Sequence, residues 1–297
     1  MTVVPAPRPE TVVHRVLAWY EEHARDLPWR RPEATPWQVM VSEFMLQQTP
    51  VERVREPWRL WVERWPTPAA LAAVPSGEAV RAWGRLGYPR RALRLHRAAV
   101  VITDEHDGEV PAEREQLLAL PGVGSYTAAA IASFAFGRRE VVLDTNVRRV
   151  LARVGGGVAF PAAGQTVAEV TAASAFVPPE PARAARWAVA VMELGALVCT
   201  ARSPRCDACP LQDLCAWRAA GHPVWDGPPR KGQRYAGTDR QCRGALLAVL
   251  RSSDEPVELA ELAAAWPHDP QRRRCLASLT ADGLVAVPAV GRVALPG

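Results

Sequence analysis

The stretch "VSEFMLQQTP", residues 41–50, places one ionisable side chain, Glu43, among apolar and uncharged residues. If this stretch is a helix, Glu43, Leu46 and Gln47 share one face, because residues three and four apart are neighbours on a helix. A carboxyl group buried among apolar side chains resists ionisation and can act as a general acid. The alternative is an ordinary amphipathic helix on which Glu43 faces solvent.

A second carboxylate, Asp144, stands where the apolar start of "VVLDTNVRRVLARV" changes into an amphipathic helical pattern. This position is typical of a helix N-cap, where the helix dipole and free N–H groups favour the ionised form. A plain cap is the structural alternative. A protonated Glu43 together with an ionised Asp144 would supply the two carboxyl groups that cleavage of a glycosidic bond uses.

Four of the six cysteines fall within 17 residues, with the spacing C-x6-C-x2-C-x5-C. They are Cys199, Cys206, Cys209 and Cys215. Four thiolates from one stretch can hold a metal centre, and the single C-x2-C pair with uneven gaps favours a [4Fe–4S] cluster. Structural zinc more often shows two C-x2-4-C pairs, and it remains the alternative.

A tight connection between two helical patterns occurs in "LALPGVGSYTAAAIASFAF". Glycines let backbone N–H groups approach an anion, and the following helix adds its N-terminal dipole. Such a hairpin binds phosphate without reading base sequence. The residues concerned are Pro121, Gly122, Val123 and Gly124.

The composition is that of a soluble globular protein, with 297 residues, 48% apolar and 23% charged. A net charge of +5 permits a polyanionic partner. The N-terminus lacks the apolar core of a signal peptide, and apolar runs are too short to span a membrane, so we expect a cytoplasmic protein. Lys231 is the only lysine in the chain.

Helical periodicity dominates the sequence up to the cysteines. Residues 226–238 are rich in Gly, Pro and basic side chains, which predicts a linker. The tail, residues 239–297, offers three helical patterns and then a hairpin around Gly291, the order of a winged helix. Arg272, Arg273 and Arg274 fall on its third helix, where DNA-reading residues lie, although a solvated basic helix end is the alternative reading.

Taken together, the motifs from Leu27 to Cys215 resemble those of the helix-hairpin-helix DNA glycosylases with an iron–sulfur cluster, most closely the adenine DNA glycosylases of the MutY family. The motifs are "LPWR", "SEFMLQQTPVERV", "AWGRLGYPRRALRLH", "LPGVGSYTA", "LDTNVRRVLAR" and "MELGALVCTARSPRCDACPLQDLC". The resemblance implies an all-α, two-lobed catalytic domain at residues 1–225 with a [4Fe–4S] loop at 199–215. A small winged-helix-like domain would follow the linker.

The resemblance also implies the reaction, which is hydrolytic removal of adenine opposite 8-oxoguanine or guanine from double-stranded DNA during base excision repair, by flipping the base out. Glu43 matches the residue that protonates adenine at N7, and Asp144 matches the one that stabilises the sugar oxocarbenium ion. Tyr126 and Asn146 match residues that support this intermediate. Trp29 and Arg30 match residues of the adenine pocket. Leu46, Gln48 and Tyr88 match residues that wedge into the DNA stack.

Several positions separate this chain from its relatives. Endonuclease III, a bifunctional member of the superfamily, has a Schiff-base lysine where this chain has Tyr126, and Lys231 lies beyond the cluster, so we expect a monofunctional enzyme. The adenine family usually has Gly in place of Thr145 and often Gln or Glu in place of Val189. Its typical C-terminal domain is longer, similar to a Nudix fold, and recognises 8-oxoguanine.

Two other functions remain open on the sequence. A thymine or uracil mismatch glycosylase would share the scaffold but would not need Glu43, because only a purine is protonated at N7. A non-catalytic iron–sulfur DNA-binding regulator would have no reason to combine Glu43 with Asp144. We expect a monomer located with the bacterial nucleoid.

Overall fold

The computed structural model describes residues 7–225, 227 and 235–297, so most of the predicted linker, including Lys231, lies outside the described residues. Almost all regular structure is helical, which confirms the predicted all-α class. No described helix is both long and apolar enough to cross a bilayer. The helices are α1 (Pro9–His23), α2 (Pro36–Leu46), α3 (Val51–Arg64), α4 (Pro68–Ala72), α5 (Ser76–Trp83), α6 (Arg90–Glu105), α7 (Arg114–Ala119), α8 (Ser125–Phe136), α9 (Thr145–Val154), α10 (Val167–Ser174), α11 (Pro181–Leu197), α12 (Ala216–Ala219), α13 (Asp239–Arg251), α14 (Leu259–Ala265) and α15 (Asp269–Ala281).

The chain divides into two compact units, each assembled from separate stretches of sequence. Unit one comprises residues 1–39, 112–118 and 123–228. Unit two comprises residues 40–111, 119–122 and 229–297, so the tail belongs to the same unit as α3 to α6.

Unit one is organised around α11, against which α1 and α9 pack. The apolar faces of the three helices form one buried core, as expected for amphipathic helices. Gly195 of α11 permits the close approach of α9, because a Cβ there would lie 2.7 Å from Cβ of Asn146. The core includes Val12, Val16, Trp19, Val147, Val150, Ala190, Val191 and Leu194.

In unit two, α4 and α5 pack on α6, and tryptophans fill the space beside them. Trp61 makes edge-to-face contacts with Trp65 and Trp83, at centroid distances of 4.7 and 5.5 Å. Aromatic pairs in this geometry contribute beyond the area they bury. This core holds α6 in place, and the first turn of α6 carries Arg91, which binds backbone carbonyls near the candidate site.

The tail forms the predicted three helices and hairpin, namely α13, α14 and α15 followed by β2 (Ala286–Ala289) and β3 (Arg292–Ala294). A short strand that was not predicted, β1 (Val257–Glu258), pairs with β3, giving an antiparallel sheet of order β1-β3-β2. Two residues are too few for a period-two pattern to be recognised in sequence. The tail has its own core, formed by Leu246, Leu250, Val257, Leu262, Leu279, Leu284 and Val293.

The tail is fastened to α5 by its last residues and by the end of α13. The carbonyl of Pro296 accepts a hydrogen bond of 2.8 Å from the Gly77 N–H, and a Cβ at Gly77 would lie only 2.3 Å from that oxygen. Nε of Arg251 donates to the Val80 carbonyl at 2.9 Å. These contacts hold the winged-helix elements against the helical part of unit two.

Candidate active site and metal centre

Glu43 lies inside the protein, with only 6% of its surface exposed. It sits on α2, where the adjoining Val41, Phe44 and Met45 are fully buried. The alternative in which this glutamate faces solvent is therefore excluded. At this position the carboxyl group is shielded from bulk water.

The chain after α2 adopts an unusual backbone at two predicted wedge residues. Gln48 has φ +55° and Tyr88 has φ +46°, the left-handed region that residues with a Cβ rarely occupy. Tyr88 is 47% exposed, and Leu46 is the last residue of α2. Such strain persists only where the surroundings impose it, and it is common at binding sites.

Arg91, the second residue of α6, imposes this conformation. Its Nη1 donates to the carbonyls of Phe44 at 2.7 Å and Gln47 at 2.7 Å, and its Nη2 donates to the carbonyl of Gly87 at 3.1 Å. One buried guanidinium thus binds the backbone beside both Gln48 and Tyr88, and it satisfies carbonyls at the end of α2. Burial lowers the pKa of Arg91 to about 10, so it stays charged at neutral pH.

The predicted hairpin joins α7 to α8. Gly122 has φ +83°, and a Cβ there would lie 2.7 Å from Cβ of Arg94 and 3.1 Å from Phe44, so only glycine fits. Gly124 is the N-cap of α8, and its Cα faces open space. Gly124 has no side chain with which to cap this helix, and a tight turn before a helix N-terminus is an arrangement that occurs at anion-binding sites.

Asp144 caps α9, as the sequence predicted. Its Oδ1 accepts hydrogen bonds from the N–H groups of Asn146 at 2.9 Å and Val147 at 2.7 Å. Its Oδ2 accepts from Nδ2 of Asn146 at 2.7 Å. Burial nevertheless raises the pKa of Asp144, and these hydrogen bonds with the nearby Arg149 charge only partly oppose it. The helix dipole alone would lower the pKa of Asp144. The pKa is raised instead because this carboxyl group is more deeply enclosed than that of an ordinary cap.

Asn146 is itself held by Arg149, a residue that the sequence analysis missed. Nη2 of Arg149 donates to Oδ1 of Asn146 at 2.8 Å and to the Gly195 carbonyl at 2.7 Å, while its Nε donates to the Cys199 carbonyl at 2.7 Å. A continuous set of hydrogen bonds therefore runs from Asp144 to the first cysteine. Two consecutive arginines, Arg148 and Arg149, gave no indication of which one turns inward.

Tyr126 lies on α8 and packs against a small group of buried residues, Ala129, Ala130, Val142 and Ala188. Val189, on α11 beside Ala188, is partly exposed, and Thr145 is exposed at the start of α9. Tyr126, Asp144 and Asn146 all belong to unit one.

The predicted pocket residues Trp29 and Arg30 form a 3-10 helix, Pro28–Arg30, in unit one. Nη1 of Arg30 contacts Oε2 of Glu193 at 2.9 Å, and Arg25 binds the same carboxylate through Nε at 2.6 Å and Nη2 at 2.9 Å. Glu193 is completely buried. Burial would raise its pKa, but the two guanidinium groups together hold the pKa below its ordinary value.

The four cysteines lie between α11 and α12 and line a single cavity. Among the described residues, no group of three or more His, Cys, Asp or Glu side chains is arranged around a single metal ion. Burial raises the pKa of the Cys209 thiol to about 12. Arg153, whose Nη1 donates to Sγ of Cys199 at 3.3 Å, supplies positive charge for thiolates. Four cysteines that line one cavity beside a buried cation fit an iron–sulfur cluster.

Two family models match the chain. The HhH-GPD superfamily of base excision DNA repair proteins matches residues 41–173, and the iron–sulfur binding domain of endonuclease III matches residues 199–215. The second match includes all four cysteines, so this segment is an iron–sulfur binding domain and binds a [4Fe–4S] cluster. The zinc alternative is not supported.

Among curated proteins, the adenine DNA glycosylase of Mycobacterium tuberculosis (strain CDC 1551 / Oshkosh) is 56% identical over 283 residues, which cover 95% of this chain and 92% of that protein. Among solved structures, a thermostable thymine-DNA glycosylase matches with a TM-score of 0.64 and 26% identity, over 72% of this chain and 97% of that one. A non-covalent endonuclease III–DNA complex matches with a TM-score of 0.61 and 25% identity, over 71% and 95%. The similarity to the curated protein extends beyond the cysteines into the tail.

Proposed function

Since this chain belongs to the adenine DNA glycosylase family, and is therefore an N-glycosyl hydrolase that acts on DNA, we propose that it removes adenine mispaired with 8-oxoguanine or guanine. The observation that carries the proposal is the enclosure of Glu43 on α2. Excision of a purine benefits from an acid that protonates the base at N7, whereas excision of thymine or uracil has no such step. A shielded carboxyl group is suited to this role.

In the proposed reaction the target adenine is flipped out of the duplex. Glu43 donates a proton to N7, and the electron pair of the glycosidic bond leaves with the base. The ionised carboxylate of Asp144 stabilises the oxocarbenium ion that forms on the sugar. Addition of water at C1′ and loss of a proton then give the abasic site. Because no lysine is available in place of Tyr126, no Schiff base forms and the enzyme is monofunctional.

Other residues position the DNA and the reacting groups. Asn146 orients the Asp144 carboxylate through its 2.7 Å hydrogen bond, and Tyr126 supports the intermediate. Trp29 and Arg30 contribute to the adenine pocket. Leu46, Gln48 and Tyr88 occupy the space that the flipped base leaves, and residues 121–124 hold phosphate through backbone N–H groups.

The four cysteines would hold the iron–sulfur cluster, which would cross-link residues 199–215 covalently. Arg149 binds the Cys199 carbonyl and Oδ1 of Asn146, so this cross-link would also help to position Asn146. We further propose that the enzyme works as a monomer on nucleoid DNA in the bacterial cytoplasm, with residues 226–238 as a linker to a domain at 239–297.

A glycosylase assay tests the proposal. Duplexes pairing adenine, thymine or uracil with 8-oxoguanine or guanine are incubated with the wild type and with Glu43→Gln. We expect release of adenine only, and a loss of at least about 100-fold in the single-turnover rate for Glu43→Gln, because general acid catalysis typically contributes that much. Release of thymine or uracil by the wild type, or full adenine release by Glu43→Gln, would contradict the proposed function.

A further inference from the structure

A large groove lies entirely within unit two, between the segment that carries Tyr88 and helix α13 of the tail. Its volume is about 1150 Å³, which exceeds the roughly 300–1,000 Å³ of typical small-molecule pockets. Among the described residues that line it there is no Asp or Glu, but there are eight arginines. These are Arg53, Arg85, Arg90, Arg91, Arg94, Arg240, Arg243 and Arg251.

Little negative charge balances these side chains. Asp282 pairs with Arg90 at 3.3 Å and also with Arg243. Arg91 and Arg251 are bound by backbone carbonyls, which carry no net charge. The remaining arginines of the groove, Arg53, Arg85, Arg94 and Arg240, have no carboxylate partner among the described residues, and all four are exposed. The groove therefore keeps a strong positive potential that a polyanion would neutralise.

Exposed aromatic rings lie among these charges. Tyr88 comes from the helical part of unit two and Tyr235 from the segment before α13, and both rings are about half exposed. The guanidinium of Arg240 lies 5.4 Å from the centroid of Tyr88 and 5.9 Å from that of Tyr235. Arginines beside solvent-accessible aromatic rings are a combination that nucleic-acid-binding grooves use.

Helix α15 of the tail, whose arginines do not line the groove, differs in this respect. On α15, Arg272 and Arg273 both pair with Asp269, and Arg274 pairs with Asp239 at 2.7 Å. These are the arginines on which the sequence analysis placed DNA contact. Since each already has a carboxylate partner, a phosphate would have to displace it, whereas the exposed groove arginines are ready to bind.

We propose that this groove binds the sugar-phosphate backbone of one DNA strand, and that α13 serves as its second wall. In this arrangement the tail clamps DNA without reading its sequence and does not act as a helix-turn-helix reader. That the occupant is DNA rests on the proposed function. Which residues contact the DNA follows separately from the lining of the groove. Phosphate oxygens would pair with Arg85 and Arg94 on one wall and with Arg240 on the other.

The test measures binding of the full-length protein to an undamaged duplex by fluorescence anisotropy, over a series of salt concentrations. Arg85→Ala and Arg240→Ala remove one charge from each wall of the groove. We expect each to weaken binding about tenfold near 0.1 M salt and to reduce the slope of log K against log salt by about 1, the value for one phosphate contact. Thermal melting of each variant checks that the fold is kept.

Two matched variants remove an arginine elsewhere in unit two. Arg59→Ala lies on α3, outside the groove, and should leave affinity and salt slope unchanged. Arg273→Ala decides between α13 and α15. If it weakens binding as much as Arg240→Ala, or if both groove variants bind like the wild type, the groove assignment is wrong. Because the duplex contains no substrate base, a failure of the proposed reaction would not alter this result.

Discussion

Unit one contains a buried carboxylate, Glu193, and a partly buried one, Asp144, whose surroundings shift their pKa values in opposite directions. Asp144 accepts hydrogen bonds from two backbone N–H groups and an amide, all of which are neutral. Glu193 accepts bonds from the guanidinium groups of Arg25 and Arg30, both of which carry a full charge. Burial acts on both acids, yet it raises the pKa of Asp144, while the arginines lower that of Glu193.

The difference shows how the same side chain becomes either reactive or structural. Two cations compensate for the loss of water around Glu193, so its negative charge is neutralised and it holds Arg25 and Arg30 in place. Neutral donors orient the carboxylate of Asp144 but leave its charge largely uncompensated. An uncompensated anion is the group that a developing positive charge on a sugar can interact with most strongly.

The largest expected effect is on activity at Asp144. Asp144→Asn should reduce the single-turnover rate of adenine release by about 10²–10³-fold, because it removes the negative charge that faces the oxocarbenium ion. Asparagine is as good an N-cap as aspartate and carries no charge to bury, but its Nδ2 cannot accept the hydrogen bond from Nδ2 of Asn146, so Tm should change little. A variant that released adenine at the wild-type rate would show that Asp144 is only a cap.

The next largest effect is on stability at Glu193. Glu193→Gln should lower the free energy of unfolding by about 3 kcal/mol, because it leaves two partly buried guanidinium groups without their counter-ion. The measurement is urea unfolding followed by circular dichroism. Glu180→Gln, at an exposed helix cap in the same unit, serves as the control and should change stability far less. Equal losses for both variants would mean that the buried ion pairs do not stabilise unit one.

A smaller effect is expected when the amide beside Asp144 is removed. Asn146→Ala deletes the hydrogen bond to Oδ2, and it should raise the pKa of Asp144 further and slow adenine release about tenfold at neutral pH. The acidic limb of the pH–rate profile should move to higher pH. If the rate falls but the profile keeps its position, Asn146 contributes through the fold rather than through the carboxylate.

The smallest effect is the pH dependence of stability. Because the pKa of Glu193 is lowered on folding, its contribution is fully present above the ordinary carboxyl range and is lost as the pH falls through the lowered value. The contribution of Asp144 to stability has the opposite pH dependence. Because its pKa is raised on folding, this contribution is present below the ordinary carboxyl range and is lost as the pH rises through the raised value. The stability difference between wild type and Glu193→Gln should therefore shrink below about pH 4. A constant difference down to pH 3 would contradict this linkage.

Local features of the fold and site could be predicted from the sequence, whereas features that depend on distant partners could not. The cap at Asp144 and the tight turn at Gly122 depend on neighbouring residues, so their types were sufficient evidence. Glu193 has the same pattern as Glu43, a lone acid in an apolar helix, but its partner Arg25 lies far away in the chain. The positively charged groove was also missed, because it requires residues around Tyr88 to meet α13.

The burial of Arg91 could have been noticed, since it extends the apolar stripe of α6 formed by Leu95, Ala98 and Ile102. The contacts of Arg91 should make the opening of two loops cooperative. One guanidinium closes both strained turns, so the amide protons of the two turns should exchange with solvent as a single unit, with one common opening free energy. The loop that follows α2 and the loop that precedes α6 would then open and close in the same event.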